Sequence, residues 1–219
     1  MHAQLSPREN MVLTQLMTNK IVDERLKEAY LSTPKEEFLP EPLSQNAYID
    51  EDLFTSDHHF ILEPMTQAKM YQAAEIQSDD IILNIGCNTG YSSAVLSKLG
   101  SMVFALEDDQ KMIIKAGEIF STLEFTTIAP VYADLLQGYA KEAPYDVIVI
   151  EGAVQVLPNE ITDQLKVGGR LVYIEREAPN MPGKAILLNK HSNHIDKRVL
   201  FECGTPYLRG FAPVEKFSF

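Results

Sequence analysis

The apolar positions of this chain come in short β-branched runs separated by helical periods, and the clearest example lies between Ile81 and Asp109. That stretch reads IILNIGCNTGYSSAVLSKLGSMVFALEDD. Ile81 to Ile85 is short, apolar and continuous, the pattern of a parallel strand covered on both faces. Gly86-Cys87-Asn88-Thr89-Gly90 breaks the run. Tyr91 to Leu99 then follows a helical pattern that Gly100 stops. Met102 to Leu106 predicts a second buried strand, which ends in Glu107, Asp108 and Asp109. A strand–turn–helix–strand unit of this kind forms a crevice beyond the carboxyl ends of its strands.

The flanking segments continue the alternation. Val12 and Leu16, with Leu13 and Met17, pair at i,i+4 and predict an apolar stripe on a first helix. Asp23 is placed to cap a second helix, Glu24 to Leu31. Phe38 to Pro42 reads as a turn, and residues 46–63 as a loop with short extended pieces. Pro64 suits the first turn of a helix reaching about Ile76. Beyond the central unit, Gln110 to Leu123 predicts a helix with Met112, Ile113, Ala116 and Phe120 inward. Strands follow at Thr126–Tyr132 and Val147–Ile150, the latter ending in Glu151-Gly152-Ala153. A short helix, Pro158 to Leu165, and a turn, Lys166 to Arg170, lead into a strand at Leu171–Ile174. Lys184–Asn189 and Arg198–Glu202 flank a polar hairpin, His191 to Asp196. Strands alternating with helices, then a closing hairpin, predict an α/β, doubly wound, mostly parallel sheet with an antiparallel edge.

Composition narrows the function classes. With 219 residues, 45% hydrophobic and 23% charged, the chain suits one globular domain. A net charge of -12 repels phosphates and argues against nucleic acid as a partner. Cys87 and Cys203 are the two cysteines; they form no disulfide framework and suit a reducing compartment. No apolar run approaches the length of about 18 residues that a membrane helix needs. The expected location is the cytoplasm.

The turn at Gly86 sets the candidate chemistry. A dinucleotide fingerprint would place glycines at 86, 88 and 91, whereas 88 is Asn and 91 is Tyr. No phosphate-binding G-x-x-x-x-G-K-[ST] run occurs. What remains is G-x-x-x-G followed by Tyr, with an acid about 20 residues on. It resembles the first motif of S-adenosylmethionine-dependent methyltransferases, roughly acid-x-G-x-G-x-G, with Asn84 in the acid's place and Asn88 in the middle glycine's. The competing reading is a βαβ unit whose glycines merely make a turn. No metal site is expected: His58 and His59 are adjacent and read as loop, and His191 and His194 read as a solvated hairpin tip. Cys87 has no histidine partner nearby in sequence to make it a nucleophile.

Further motifs, in order, carry a more specific resemblance. They are Arg8 to Val12, Thr14 to Leu16, Ile21 to Arg25, Pro34-Lys-Glu-Glu-Phe-Leu-Pro40, Ala47 to Asp50 and Pro64 to Ala68. The LNIGCNTGYSSAVLSKLG run, Pro144-Tyr-Asp146 and Leu165 to Leu171 continue it. This succession resembles the protein-L-isoaspartate O-methyltransferase family from residue 8 to about 175, and more loosely over the tail LFECGTPYLRGF. The resemblance implies a seven-stranded sheet of the S-adenosylmethionine-dependent type. One domain is expected over residues 1–219, with a helical arm and substrate-side loop over 1–63 and a cofactor-binding core over 64–219.

It also implies roles. Asn84, Gly86, Cys87 and Gly90 would surround the methionine end of S-adenosyl-L-methionine. Glu107, with Asp108 beside it, would take the ribose hydroxyls, Asp134 the adenine amino group, and Leu135 the face of the ring. The methyl acceptor would be an altered aspartyl residue in a protein or peptide. The family's G-x-T-I-S-x-P loop aligns with His58 to Pro64. Leu62 stands where the family has an acceptor-positioning Ser and cannot hydrogen-bond, Phe60 replaces the Thr, and Glu63 adds negative charge. Two alternatives therefore stand beside isoaspartyl methylation: the same fold and cofactor with another acceptor, or a catalytically silent binding domain.

Overall fold

A computed structural model describes residues 5–213 of the chain, so the expected domain extends past them at 1–4 and 214–219. Seven strands form one sheet in the order β5-β4-β3-β6-β7-β8-β9. They are β3 (Ile81–Ile85), β4 (Met102–Glu107), β5 (Ile128–Tyr132), β6 (Tyr145–Val154), β7 (Leu165–Glu175), β8 (Gly183–Lys190) and β9 (Ile195–Cys203). The first five in spatial order run parallel, and β8 and β9 add the antiparallel edge. The doubly wound, mostly parallel sheet expected from the pattern is what forms.

Alternate strand residues feed two apolar layers, as a period of two requires. On one face Ile82, Val103, Ala105, Val147, Val149 and Val172 pack with α3 (Pro64–Ala74), α4 (Tyr91–Leu96), α5 (Gln110–Thr122) and the N-terminal arm. On the other, Leu83, Ile85, Leu106, Ile148, Ile150 and Leu171 pack with the short α6 (Asn159–Asp163) and with Leu208 and Phe211. The tail after β9 thus serves as part of the second layer. Among the described residues no helix is long and apolar enough to cross a membrane.

The arm begins with α1 (Pro7–Met11), where Ser6 and Glu9 form a reciprocal capping box. The helix then widens to π geometry over Val12–Leu16 and tightens to 3-10 over Met17–Asn19. Met11, Val12 and Leu16 are buried, whereas Leu13 and Met17 point to solvent. Of the two expected i,i+4 pairs, Val12 with Leu16 faces inward and Leu13 with Met17 does not. Asp23 caps α2 (Glu24–Ser32) as expected, accepting from the amides of Arg25 and Leu26.

Two segments differ from their sequence reading. The loop with short extended pieces expected over 46–63 folds those pieces into a β-hairpin, β1 (Leu53–Ser56) paired antiparallel with β2 (His59–Ile61). Its inward residues Leu53, Phe60 and Ile61 bury against the core, a tertiary contact that irregular spacing conceals. The turn expected over Lys166–Arg170 lies inside β7 as a bulge, where pairing shifts from Tyr145↔Leu165 to Val147↔Arg170.

Candidate active site

Strand β3 is the topological switch point, since the chain leaves it first toward β4 and later returns on its other side as β6. The carboxyl ends of β3, β4 and β6 therefore converge on one crevice. The glycine turn forms its floor. Gly86, Asn88 and Gly90 all hold positive φ, at 78°, 53° and 97°. Asn is among the few side-chain-bearing residues that enter this region readily, so the turn survives loss of its middle glycine. The amides of Gly86 and Cys87 both donate to the Leu106 carbonyl, at 2.9 and 3.2 Å, which pins the turn to β4. Cys87 is buried and its thiol is pushed up by burial, as befits a packing residue rather than a nucleophile.

Glu107 ends β4 where the sequence placed it, yet only 2% of its surface is exposed. One carboxylate oxygen accepts from the Asn88 amide at 2.8 Å, and the other from the Asp108 and Asp109 amides at 2.9 and 3.3 Å. His59 lies above it, with Nε2 3.7 Å from Glu107 and 3.9 Å from Asp109. Ser56 Oγ holds the other ring nitrogen at 2.9 Å. The Glu107 carboxylate raises the His59 pKa, with Asp109 adding, against burial and Arg209. Burial pushes Glu107 up, but the His59 ring and the Asn88 amide outweigh it and hold the carboxylate below its usual range. His59 is not the plain loop residue that its sequence context predicts: it is a buried member of β2, whereas its neighbour His58 is exposed.

Asn84 is fully buried and its amide is committed inside the protein. Its oxygen accepts from the Ser92 and Ser93 hydroxyls at 2.8 and 2.6 Å, and its nitrogen donates to Glu151 at 2.9 Å. Glu151 in β6 also accepts from Tyr71 and from Gln67, whose amide oxygen in turn accepts from Tyr30 at 3.0 Å. Burial raises the Glu151 pKa, and the three donors only partly oppose it. This buried carboxylate was absent from the candidate residues, although a charge inside the apolar run Tyr145–Val154 was a signal that could have found it.

The remaining candidates separate. Asp134 is exposed and caps the turn Leu135–Gln137 by accepting from the Leu136 amide at 2.9 Å, while Leu135 is buried beneath it. Asp108 is gripped by Arg209, at 2.8 Å from Nη2 and 3.1 Å from Nε. Leu62 follows β2 and is buried in the apolar core with Phe60 and Ile61. Next to it, the Glu63 amide donates to Asp52 at 2.8 Å, whose carboxyl burial pushes up to about 6. Among the described residues the only cluster with metal-ligating spacing is His191, His194 and Asp196, exposed on the hairpin tip and remote from the crevice in sequence and strand order.

Comparison with known proteins agrees with this geometry. Residues 7–197 match the family model described as Protein-L-isoaspartate(D-aspartate) O-methyltransferase (PCMT). The chain is 38% identical over 168 residues to Protein-L-isoaspartate O-methyltransferase 2 of Shewanella sediminis, covering 77% of this chain and 69% of that one. It is 30% identical over 217 residues to the Protein-L-isoaspartate O-methyltransferase of Opitutus terrae, covering 99% and 88%. A solved protein-L-isoaspartate O-methyltransferase superposes with a TM-score of 0.83 at 25% identity, over 94% of this chain and 67% of the other. Architecture, switch-point crevice and sequence point the same way, and the chain belongs to the protein-L-isoaspartate O-methyltransferase family.

Proposed function

We propose that this chain is an S-adenosyl-L-methionine-dependent O-methyltransferase acting on the carboxylate of altered aspartyl residues in proteins or peptides. The observation that carries the reading is a family match over residues 7–197 with an acid at the end of β4 facing a positive-φ glycine turn. The residue types suit the cofactor. A carboxylate such as Glu107 accepts from two ribose hydroxyls at once, and the floor at Gly86 carries no side chain. Gly86, Cys87 and Gly90 would line the methionine end, Glu107 and Asp108 the ribose, and Asp134 with Leu135 the adenine. Asn84 would act from beneath, holding the turn through Ser92 and Ser93 rather than touching the cofactor. The cytoplasm is the matching location, and the net charge of -12 argues against a nucleic-acid partner.

The cofactor supplies an activated methyl group. What the protein must do is align and enclose, because an acceptor carboxylate is already ionised at neutral pH and needs no strong base. The hairpin and the loop Phe60 to Pro64, whose Phe60, Ile61 and Leu62 are apolar, would supply the wall that keeps water out. Leu62 offers no hydroxyl to orient the acceptor, which sets the test. Methyl transfer to an isoaspartyl peptide, compared with its aspartyl twin, should show selectivity for the former, and Leu62→Ser should raise that rate about tenfold, the worth of one hydrogen bond. An unchanged rate in the variant would place the acceptor's orienting group elsewhere. A second reading, a catalytically silent member, is favoured by the burial of Glu107 and is separated by whether any labelled methyl is transferred.

A further inference from the structure

The β8–β9 hairpin brings three donor side chains onto one face. Backbone pairing sets Lys190 opposite Ile195 and Asn189 opposite Asp196. One step toward the tip, the His191 amide donates to the His194 carbonyl at 2.8 Å, so the two histidines stand across from each other. Side chains directly opposite in an antiparallel pair share a face, and so do residues two apart on one strand. His191, His194 and Asp196 therefore project together. The two rings stack with centroids 4.5 Å apart and an angle of 14° between their planes.

Asp196 reaches both rings. One carboxylate oxygen is 3.0 Å from His191 Nε2 and the other 3.3 Å from His194 Nε2. Asn193 Oδ1 lies 2.8 Å from His194 Nδ1 and, as an acceptor, places that ring's proton on Nδ1. Nε2 of His194 then points a lone pair at the carboxylate, which is unfavourable unless a cation stands between them or the ring takes a second proton. Two stacked imidazolium ions repel each other at this distance, so protonating one ring opposes protonating the other. A bound cation satisfies both rings at once. The adjacent lysines are committed elsewhere: Lys190 Nζ donates to the Thr162 and Asp163 carbonyls, and Lys197 Nζ donates to both oxygens of Glu175.

The spacing suits a small cation. Bonds of about 2.0–2.1 Å put neighbouring donors of a tetrahedral zinc ion about 3.3 Å apart, close to both carboxylate–imidazole distances. One donor atom from each of the three residues lies within 4.8 Å of the other two, so small side-chain rotations close the set. Two imidazoles and a carboxylate favour late first-row ions over magnesium or calcium, which prefer oxygen shells. The net charge of -12 raises the local concentration of any cation. We propose that the tip of the β8–β9 hairpin is a metal site, in which His191 Nε2, His194 Nε2 and an Asp196 oxygen bind a divalent cation of the zinc type and water completes the coordination. Bound there, the ion staples the two ends of the hairpin loop. The site stands at the sheet edge, beyond β7 and β8, and does not depend on the cofactor reading.

Zinc chloride titrated calorimetrically into the untagged full chain tests this, with His191→Ala, His194→Ala, Asp196→Asn and Asn193→Ala alongside. All four positions are exposed, so the variants should keep the fold. Wild type should take a single ion, and each ligand variant should bind it more than about tenfold more weakly, since even the outer partner of a ligand is worth that much. Asn193→Ala keeps the three ligands but frees the His194 tautomer, so its loss should be about tenfold. Zinc should also slow amide hydrogen exchange over residues 190–196 in wild type and leave exchange in Asp196→Asn unchanged. Equal zinc affinities in wild type and the three ligand variants, or no wild-type binding below about 1 mM zinc, would overturn the site.

Discussion

Alanine at Gly90 lowers the free energy of unfolding by about 4 kcal/mol, the sum of overpacking and a left-handed backbone. Gly90 begins α4 at a φ of 97°, and its missing Cβ faces the ring of Phe120 at 2.3 Å. That ring cannot retreat freely, because it packs among Phe38 and Phe125 with centroids 6.5 and 6.3 Å away. Urea denaturation checks the value, with Gly168→Ala as the control. Gly168 has a similar φ of 87° but nothing within 4 Å, so its substitution should cost only about 1 kcal/mol. Equal costs at the two positions would remove the packing explanation and leave strain alone.

Truncating Glu151 to alanine is expected to cost about 3 kcal/mol, because Tyr71, Gln67 and Asn84 each lose a buried acceptor. Relief of a desolvated charge offsets part of that loss, which keeps the figure below the sum of three broken bonds. Glu151→Gln keeps the volume and one acceptor, so it should cost less, and its cost should depend on pH. Burial raises the folded pKa of Glu151 above its unfolded value. Its stabilising contribution is therefore complete below the unfolded pKa and is lost as pH rises through the folded one. The difference in melting temperature between wild type and Glu151→Gln should narrow across that acid-to-neutral window. A pH-independent difference would mean that Glu151 does not change protonation on unfolding.

How much of this was legible beforehand follows from where each residue finds its partners. Ile81–Ile85, Met102–Glu107 and the glycine turn declared themselves because a buried parallel strand needs a local apolar run and a tight turn needs positive φ. The β1–β2 hairpin did not, since its strands are only four and three residues long, and their apolar side is set by packing into the core. Leu62 was legible as a lost hydroxyl, and its burial in the core explains why an apolar residue is tolerated there.

Glu107 shows the boundary most sharply. Local pattern alone placed an acid at the mouth of a strand-end crevice, as it placed the parallel sheet, the glycine bend and the succession of family motifs. Whether that acid faces solvent, a nucleoside or a histidine depends on segments about 50 residues before it and about 100 after it in the chain. His59, Leu208 and Arg209 carry no periodicity that aims them at β4; only the packed fold brings them there. Sequence determined the elements and the chemistry available at their ends, because hydrophobic period and backbone conformation are local properties. Tertiary structure alone decided which side chains stand beside those acids, because contacts between distant segments depend on how the whole chain packs.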